Sequence, residues 1–355
     1  MTTGFWTDRR VFVTGHTGFK GGWLTLVLVA AGAKVHGYSL KPPTEPNLFT
    51  VAGIEQLLSS HVIDDVRHAE SLAAALASAQ PSVVFHLAAQ PLVRESYRDP
   101  VGTYGINVIG TVNLLEAVRR TPGIDALVNV TTDKCYENRE WAWGYRETEP
   151  LGGHDPYSSS KACSELVTAA YRDSFLAARG VRVASGRAGN VIGGGDWAAD
   201  RLVPDFFRAL EASHPLKVRF PGATRPWQHV MEPVSGYLML AEQLVSVGPS
   251  RARGWNFGPA DDDARPVSWL LDRLAAGAPG SAWLAAEGEH PHEAGYLKLD
   301  SSMARSELGW RPRWSLETAL EMTADWHAAW RSGADMRTRS LQQIAEHGSQ
   351  SSCHA

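Results

Sequence analysis

The chain has 355 residues, 44% of them hydrophobic and 20% charged, which supplies a substantial core and excludes wholesale disorder. Lys plus Arg number 34 against 38 for Asp plus Glu, a formal charge of -4, so the basic excess of a dedicated nucleic-acid binder is missing. The three cysteines, Cys135, Cys163 and Cys353, have no metal-ligand spacing and fit a reducing compartment, with neither a disulfide framework nor a bound metal.

The first residues lack the apolar stretch of a secretory signal, and no apolar run reaches the ~20 residues of a membrane span. The expectation is a cytoplasmic protein with no membrane and no nucleic-acid partner. Residues 10–14 (RVFVT) read as a first strand, followed by a helix to about residue 31. Residues 34–39 (KVHGYS) form a second strand and 61–63 a third, with a helix over 69–79. Residues 83–87 (VVFHL) are a fourth strand, 101–120 a long helix, 126–130 (ALVNV) a fifth strand and 181–185 a sixth. Strands separated by helices predict an α/β fold, a Rossmann-type doubly wound parallel sheet. Its ligand belongs beyond the carboxyl ends of the strands, where strand order reverses.

From about Gly193 the chain is rich in Pro, Trp and Arg, and its strands are short. This predicts a smaller mixed α/β lobe that closes over a substrate. The expected organisation is a dinucleotide-binding domain over 1–190 and a substrate lobe over 191–335, with a return to the sheet near 254–257 left open. Residues 336–355 read as a tail with a disordered end.

Gly15-His16-Thr17-Gly18-Phe19-Lys20-Gly21 stands between the first strand and the first helix. Glycines at this GxxGxxG spacing allow a tight turn and bring backbone close to a pyrophosphate at the helix N-terminus. The usual acid at the end of the second strand is replaced by Ser39, Leu40 and Lys41, which leaves NAD and NADP open. Asp65, with Val66 beside it, is the candidate for the adenine amino group. Leu87, Ala88 and Ala89 offer small or backbone surfaces to the cofactor, and Gln90 next to them is assigned to the substrate.

Asp155 and Pro156 suit a helix cap and first turn, which puts Tyr157 and Lys161 four apart on one face. An ammonium beside a phenol favours phenolate, so the pair predicts a tyrosine base with its pKa drawn from ~10 toward neutrality. Thr132, Asp133 and Lys134 follow the fifth strand at its carboxyl end. Thr132 is placed to bond a sugar hydroxyl, and Asp133 and Lys134 set an acid beside a base. Asn190, Arg201, Arg225 and Asn256 are candidates for a nucleotide diphosphate, arginine by its forked charge-assisted hydrogen bonds. His292 is a further substrate candidate. Trp141 and Trp143 either cover the sugar or pack a lid, and Cys135 reads as a packing residue.

The segments GHTGFKG, FHLAAQPLVRESY, VTTDKCYENREWAWGYRE, DPYSSSKACSE, RAGNVIGGGDW and RPWQHVMEP resemble the sugar-nucleotide 4,6-dehydratases of the extended short-chain dehydrogenase/reductase family. The resemblance runs from about Arg10 to about Trp330. It implies NAD as cofactor and CDP-glucose as substrate. It implies that Tyr157 takes the proton from the carbon-4 hydroxyl as hydride passes to NAD, and that Lys161 holds the nicotinamide ribose. Lys134 stands where dTDP-glucose relatives carry a glutamate and becomes the carbon-5 base. Asp133 protonates the departing carbon-6 hydroxyl, and hydride returns to carbon 6. A lysine base must be neutral for part of the cycle, which calls for burial or a cationic neighbour. Asn107 is implied as the asparagine that supports the lysine side of the site. Helices 101–120 and 156–178 are implied as a homodimer seam, with a tetramer as the larger alternative. Two rivals stand beside this reading: an epimerase or dehydratase of another nucleotide sugar, and a non-catalytic dinucleotide sensor.

Overall fold

The computed structural model describes residues 4–287 and 295–350. Its centre is β1 (Arg10–Thr14), flanked on one side by β2 (Lys34–Ser39) and β3 (Ser60–Ile63). On the other side lie β4 (Val83–His86), β5 (Ala126–Thr132), β6 (Arg182–Ala188) and β7 (Gly254–Phe257). The order is β3-β2-β1-β4-β5-β6-β7, parallel throughout. β1 and β4 are buried almost end to end, as both faces of a parallel sheet are covered by helices. The order reverses between β1 and β4. There Thr14 Oγ1 meets His86 Nδ1 at 2.7 Å and accepts from the backbone N–H groups of Leu87 and Ala88 at 3.2 Å.

Helix α1 (Phe19–Ala30) opens directly on the glycine loop, and α2 (Ala69–Ala79) follows β3. The expected long helix is an α-turn (Pro100–Tyr104), a π-turn (Gly105–Ile109) and then α3 (Gly110–Arg120). α4 (Pro156–Tyr171) starts at a capping box, with Asp155 accepting from the Tyr157 and Ser158 backbones and Ser158 answering the Asp155 N–H. Two apolar layers cover the two faces of the sheet, one built around Trp23, Trp255 and Trp326, the other around Leu72, Leu114 and Val183.

The second half is divided between lobe and sheet. α5 (Leu202–Glu211) belongs to the lobe, whereas α6 (Met231–Ser246) and β7 rejoin the sheet. α7 (Val267–Ala276) and α8 (Leu316–Arg331) close a third core with Phe206, Val218 and Trp227. Short strand pairs stiffen the lobe, Leu216–Val218 with Trp283–Ala285 and Thr224–Pro226 with Ala264–Pro266.

Three expectations are corrected. The fifth strand runs on to Thr132 and the sixth to Ala188, so Thr131 and Thr132 lie in the sheet rather than in a following loop. The tail reading fails over 336–349, where α9 (Met336–Ser349) is a docked helix. Arg337 donates to the carbonyls of Ala52 (3.0 Å) and Gly53 (2.7 Å), and His347 Nε2 lies 2.9 Å from the fully buried Glu232 carboxylate. Residues 351–355 lie outside the described residues. Among the described residues no helix is long and apolar enough to cross a membrane.

Candidate active site

A cavity of about 990 Å³ opens at the carboxyl ends of the strands, between sheet and lobe. Gly15, Thr17, Gly18, Phe19, Lys20 and Gly21 line it, with Asp65, Val66, Leu87, Ala88 and Ala89. The glycine loop can only be bare backbone. Gly15 has φ +78° and a Cβ there would sit 2.7 Å from Ala88 N; a Cβ on Gly21 would sit 2.0 Å from the Gly15 carbonyl. Such a cradle at a helix N-terminus fits a dinucleotide pyrophosphate. Thr17 Oγ1 ties the loop to the end of β2 through Ser39 Oγ and Leu40 O, both at 2.8 Å. Both Asp65 carboxylate oxygens accept from Arg67, so its side chain is engaged within its own loop. Lys20 is buried beside Tyr237, 3.5 Å from its hydroxyl; burial, then Arg201 and Lys161, bring its pKa down to about 7.

β5 ends at Thr132, and the chain turns at once through one 3₁₀ turn, Asp133–Cys135. Thr132 Oγ1 accepts from Lys134 N (3.3 Å) and donates to Asp133 Oδ1 (2.9 Å). Asp133 Oδ2 is buried with no hydrogen-bond partner among the described residues. Burial pushes the Asp133 carboxyl up, against opposing pulls from Lys134, Thr132 and Arg225. Lys134 Nζ lies 6.0 Å from the centre of the Tyr157 ring. Tyr157 and Lys161 line the same cavity. Burial raises Tyr157 to about 12, opposed by a hydrogen bond with Thr132, and lowers Lys161 to about 8, opposed by Glu165. The direction is opposite to the expected drop in the tyrosine pKa: desolvation outweighs Thr132 and Arg201. A base at Tyr157 needs a further cation, which an oxidised nicotinamide ring carries. Burial also pushes the Cys135 thiol up, in keeping with a packing role.

The floor of the site is a buried polar network. Glu165 pairs with Arg187 at 2.9 Å and accepts from Ser185 and Thr131; Arg187 also donates to the Tyr136 hydroxyl at 2.8 Å. Asn107, in the π-turn, bonds the Gln90 backbone through both ends of its amide and donates to Ser160 Oγ at 2.9 Å. It braces β4 against α4 and does not line the cavity. π-turns are frequent at functional sites for this kind of placement. A Cβ on Gly105 would meet only Arg67 Cδ, at 3.5 Å, so space does not require glycine there.

Asn190, Arg201 and Arg225 line the cavity. Arg201 pairs with Asp196 at 2.8 Å, and Arg225 donates to the Thr224 carbonyl at 3.0 Å. Two assignments are corrected. Asn256 is fully buried and spent on Tyr136, Tyr145 and Asp300, so it holds loops to β7. The Gln90 side chain turns back to Leu92 and Thr103. His292 lies outside the described residues. Trp141 stacks on Tyr145 at 5.2 Å and Trp143 on Trp141 at 5.1 Å, and neither lines the cavity. Sequence reasoning missed Trp227 and His327, and the Arg94–Asp200 ion pair (2.5 Å) whose two residues both line the cavity. Trp227 stands two residues from Arg225, a spacing that could have revealed it.

The chain belongs to the NAD dependent epimerase/dehydratase family, whose model matches residues 11–256, and NAD is its cofactor. It is 52% identical over 349 residues, 97% of each chain, to the CDP-glucose 4,6-dehydratase of Salmonella typhimurium. It is 29% identical to the dTDP-glucose 4,6-dehydratase of Xanthomonas campestris, over 89% of this chain and 92% of that one. The crystal structure of dTDP-glucose 4,6-dehydratase from Bacillus anthracis, in complex with NAD, shares the fold with a TM-score of 0.75 at 22% identity. The match covers 90% of this chain and 97% of that one.

Proposed function

We propose that the protein is an NAD-dependent hydro-lyase that converts CDP-glucose to CDP-4-keto-6-deoxyglucose. The observation that carries this reading is Asp133: a buried carboxyl, pushed toward its protonated form, with one oxygen unpartnered among the described residues, lining a cavity shared with Lys134, Tyr157 and Lys161. An epimerase needs the tyrosine and Lys161 but has no elimination for this acid–base pair to perform. The 52% identity to the Salmonella enzyme supports the same substrate.

NAD, held by the glycine loop and Lys161, would supply the redox chemistry: a hydride acceptor for carbon 4 and a hydride donor for carbon 6. The glycine loop and the α1 N-terminus hold the pyrophosphate, and Lys161 orients the nicotinamide ribose. Tyr157 accepts the proton of the carbon-4 hydroxyl, with Thr132 bonded to its phenol. Lys134 removes the carbon-5 proton made acidic by the new ketone and returns a proton to carbon 5 as carbon 6 is reduced. Asp133 gives its proton to the carbon-6 hydroxyl, which leaves as water. Arg201, Arg225 and Asn190 clamp the diphosphate.

The protein works as a homodimer in this reading. Val101, Ile109, Leu166 and Phe175 are exposed apolar side chains on the helices expected to form the seam. The test is incubation with CDP-glucose, dTDP-glucose, UDP-glucose and GDP-mannose separately, with and without added NAD. Loss of one water from CDP-glucose alone is the expected result by mass spectrometry. Unchanged mass in every tube overturns the dehydratase reading.

A further inference from the structure

Beyond Arg201 and Arg225, part of the lobe's share of the cavity wall has no role in the steps above. It includes Phe207, Val218 and Val267, and two polar rings, Trp227 and His327. Trp227 is only 6% exposed, and its Nε1 is buried with no hydrogen-bond partner among the described residues. An indole N–H can only donate, and a buried donor left unpaired is costly, so the position calls for an acceptor from a ligand. His327 lies flat on Phe207, with ring centres 4.0 Å apart at 15°. Its Nε2 is 2.9 Å from Glu211 Oε1. A carboxylate only accepts, so Nε2 carries the hydrogen. Burial disfavours the cationic ring, which leaves Nδ1 a bare acceptor.

The wall therefore presents one fixed donor and one fixed acceptor. Cytosine offers the complement, the ring N3 acceptor beside the exocyclic amino donor. Uracil and thymine reverse it, with an N3–H beside a carbonyl. We propose that Trp227 and His327 read the base of the nucleotide sugar as cytosine, Trp227 donating to a ring acceptor and His327 Nδ1 accepting from the exocyclic amine. Glu211 is a positioning residue that fixes the tautomer. The inference rests on the nucleotide-sugar reading above and names its specificity. A uracil here would set donor against donor and lone pair against lone pair, and sites built this way discriminate strongly.

The test compares kcat/KM for CDP-glucose and UDP-glucose in the unaltered protein, Trp227→Phe and Glu211→Gln. Trp227→Phe keeps an aromatic ring and loses the donor. Glu211→Gln, at a partly exposed position, lets either imidazole nitrogen carry the hydrogen. In both variants the ratio of the two kcat/KM values is expected to fall at least tenfold, with the loss for CDP-glucose mainly in KM. A purely structural role would lower both substrates together and leave the ratio fixed, which overturns the assignment. Preference of the unaltered protein for UDP-glucose overturns the substrate reading, and this inference with it.

Discussion

Thr132 Oγ1 donates to Asp133 Oδ1 at 2.9 Å, so the carboxyl oxygen with no partner among the described residues is Oδ2, on a residue that lines the cavity. The strand ends at Thr132 and the turn begins at Asp133, so backbone geometry fixes both side chains before any ligand arrives. A group held this way needs little reorganisation to give up a proton at a defined place.

Asp133→Asn keeps the shape and removes the proton. Turnover is expected to fall about 10²–10⁴-fold, the usual worth of a general acid, with carbon-4 oxidation retained. Rapid-mixing absorbance of the reduced nicotinamide checks the retained step. Stability moves the other way. The folded protein raises the Asp133 pKa, so its favourable contribution is complete below the ordinary carboxylate value and is lost as pH rises through the raised one. The asparagine variant should melt a few degrees higher at neutral pH, and that gain should shrink as pH falls. A gain that grows on acidification contradicts the assignment.

Lys134→Gln removes the proposed carbon-5 base and leaves Tyr157 and Lys161 in place. It should oxidise carbon 4 and stall before elimination. Substrate incubated in heavy water is expected to show neither water loss nor deuterium at carbon 5. Normal turnover by this variant would sink the role.

Gly21→Ala drives a Cβ to 2.0 Å from the Gly15 carbonyl, whereas a Cβ on Gly277 would find only the Leu274 carbonyl, at 3.7 Å. The first change should abolish measurable NAD binding and lower the melting temperature. Gly277→Ala should lie within about 0.5 kcal/mol of the parent. Calorimetric titration with NAD and thermal melts of both variants decide it.

Arg187→Leu leaves Glu165 ionised and unpaired at 4% side-chain exposure. Breaking one side of such a buried pair costs about 3–5 kcal/mol. For Glu165, burial alone would raise the carboxyl, but Arg187, Ser185 and Thr131 outweigh it and the net shift is down. The pair therefore stabilises the fold above the ordinary glutamate value and stops doing so as pH falls through the lowered one. Urea unfolding across pH should show the variant's deficit largest near neutrality and smaller in acid.

The sheet and its glycine loop were legible because apolar strands alternate with helices and GxxGxxG stands at one place in that pattern. Tyr157, Lys161, Asp133 and Lys134 were legible because helix spacing and the end of one strand bring them into one cavity. α9 was not, because its buried face is carried largely by Ser340, Gln343 and His347, which read as solvent-facing. Asn256 misled for a related reason: a polar residue inside a strand suggests a ligand, and here it serves three internal partners. The Tyr157 shift was misjudged because a sequence shows the neighbouring charge but not the depth of burial. His327 carried no usable signal, since on an amphipathic helix it reads as packing.

The docking of α9 onto the segment around Ala52 has a consequence for biosynthesis. Arg337 closes a contact across 285 residues, and Trp326 packs against Gly194, where a Cβ would have only 2.0 Å. The glycine loop is synthesised long before Met336–Ser349, the segment that completes the packing around Ala52 and Gly53. The nascent amino-terminal half carries uncovered apolar surface until Met336–Ser349 has been made. A chain that stops before Met336 is therefore expected to expose the apolar surface that this helix covers.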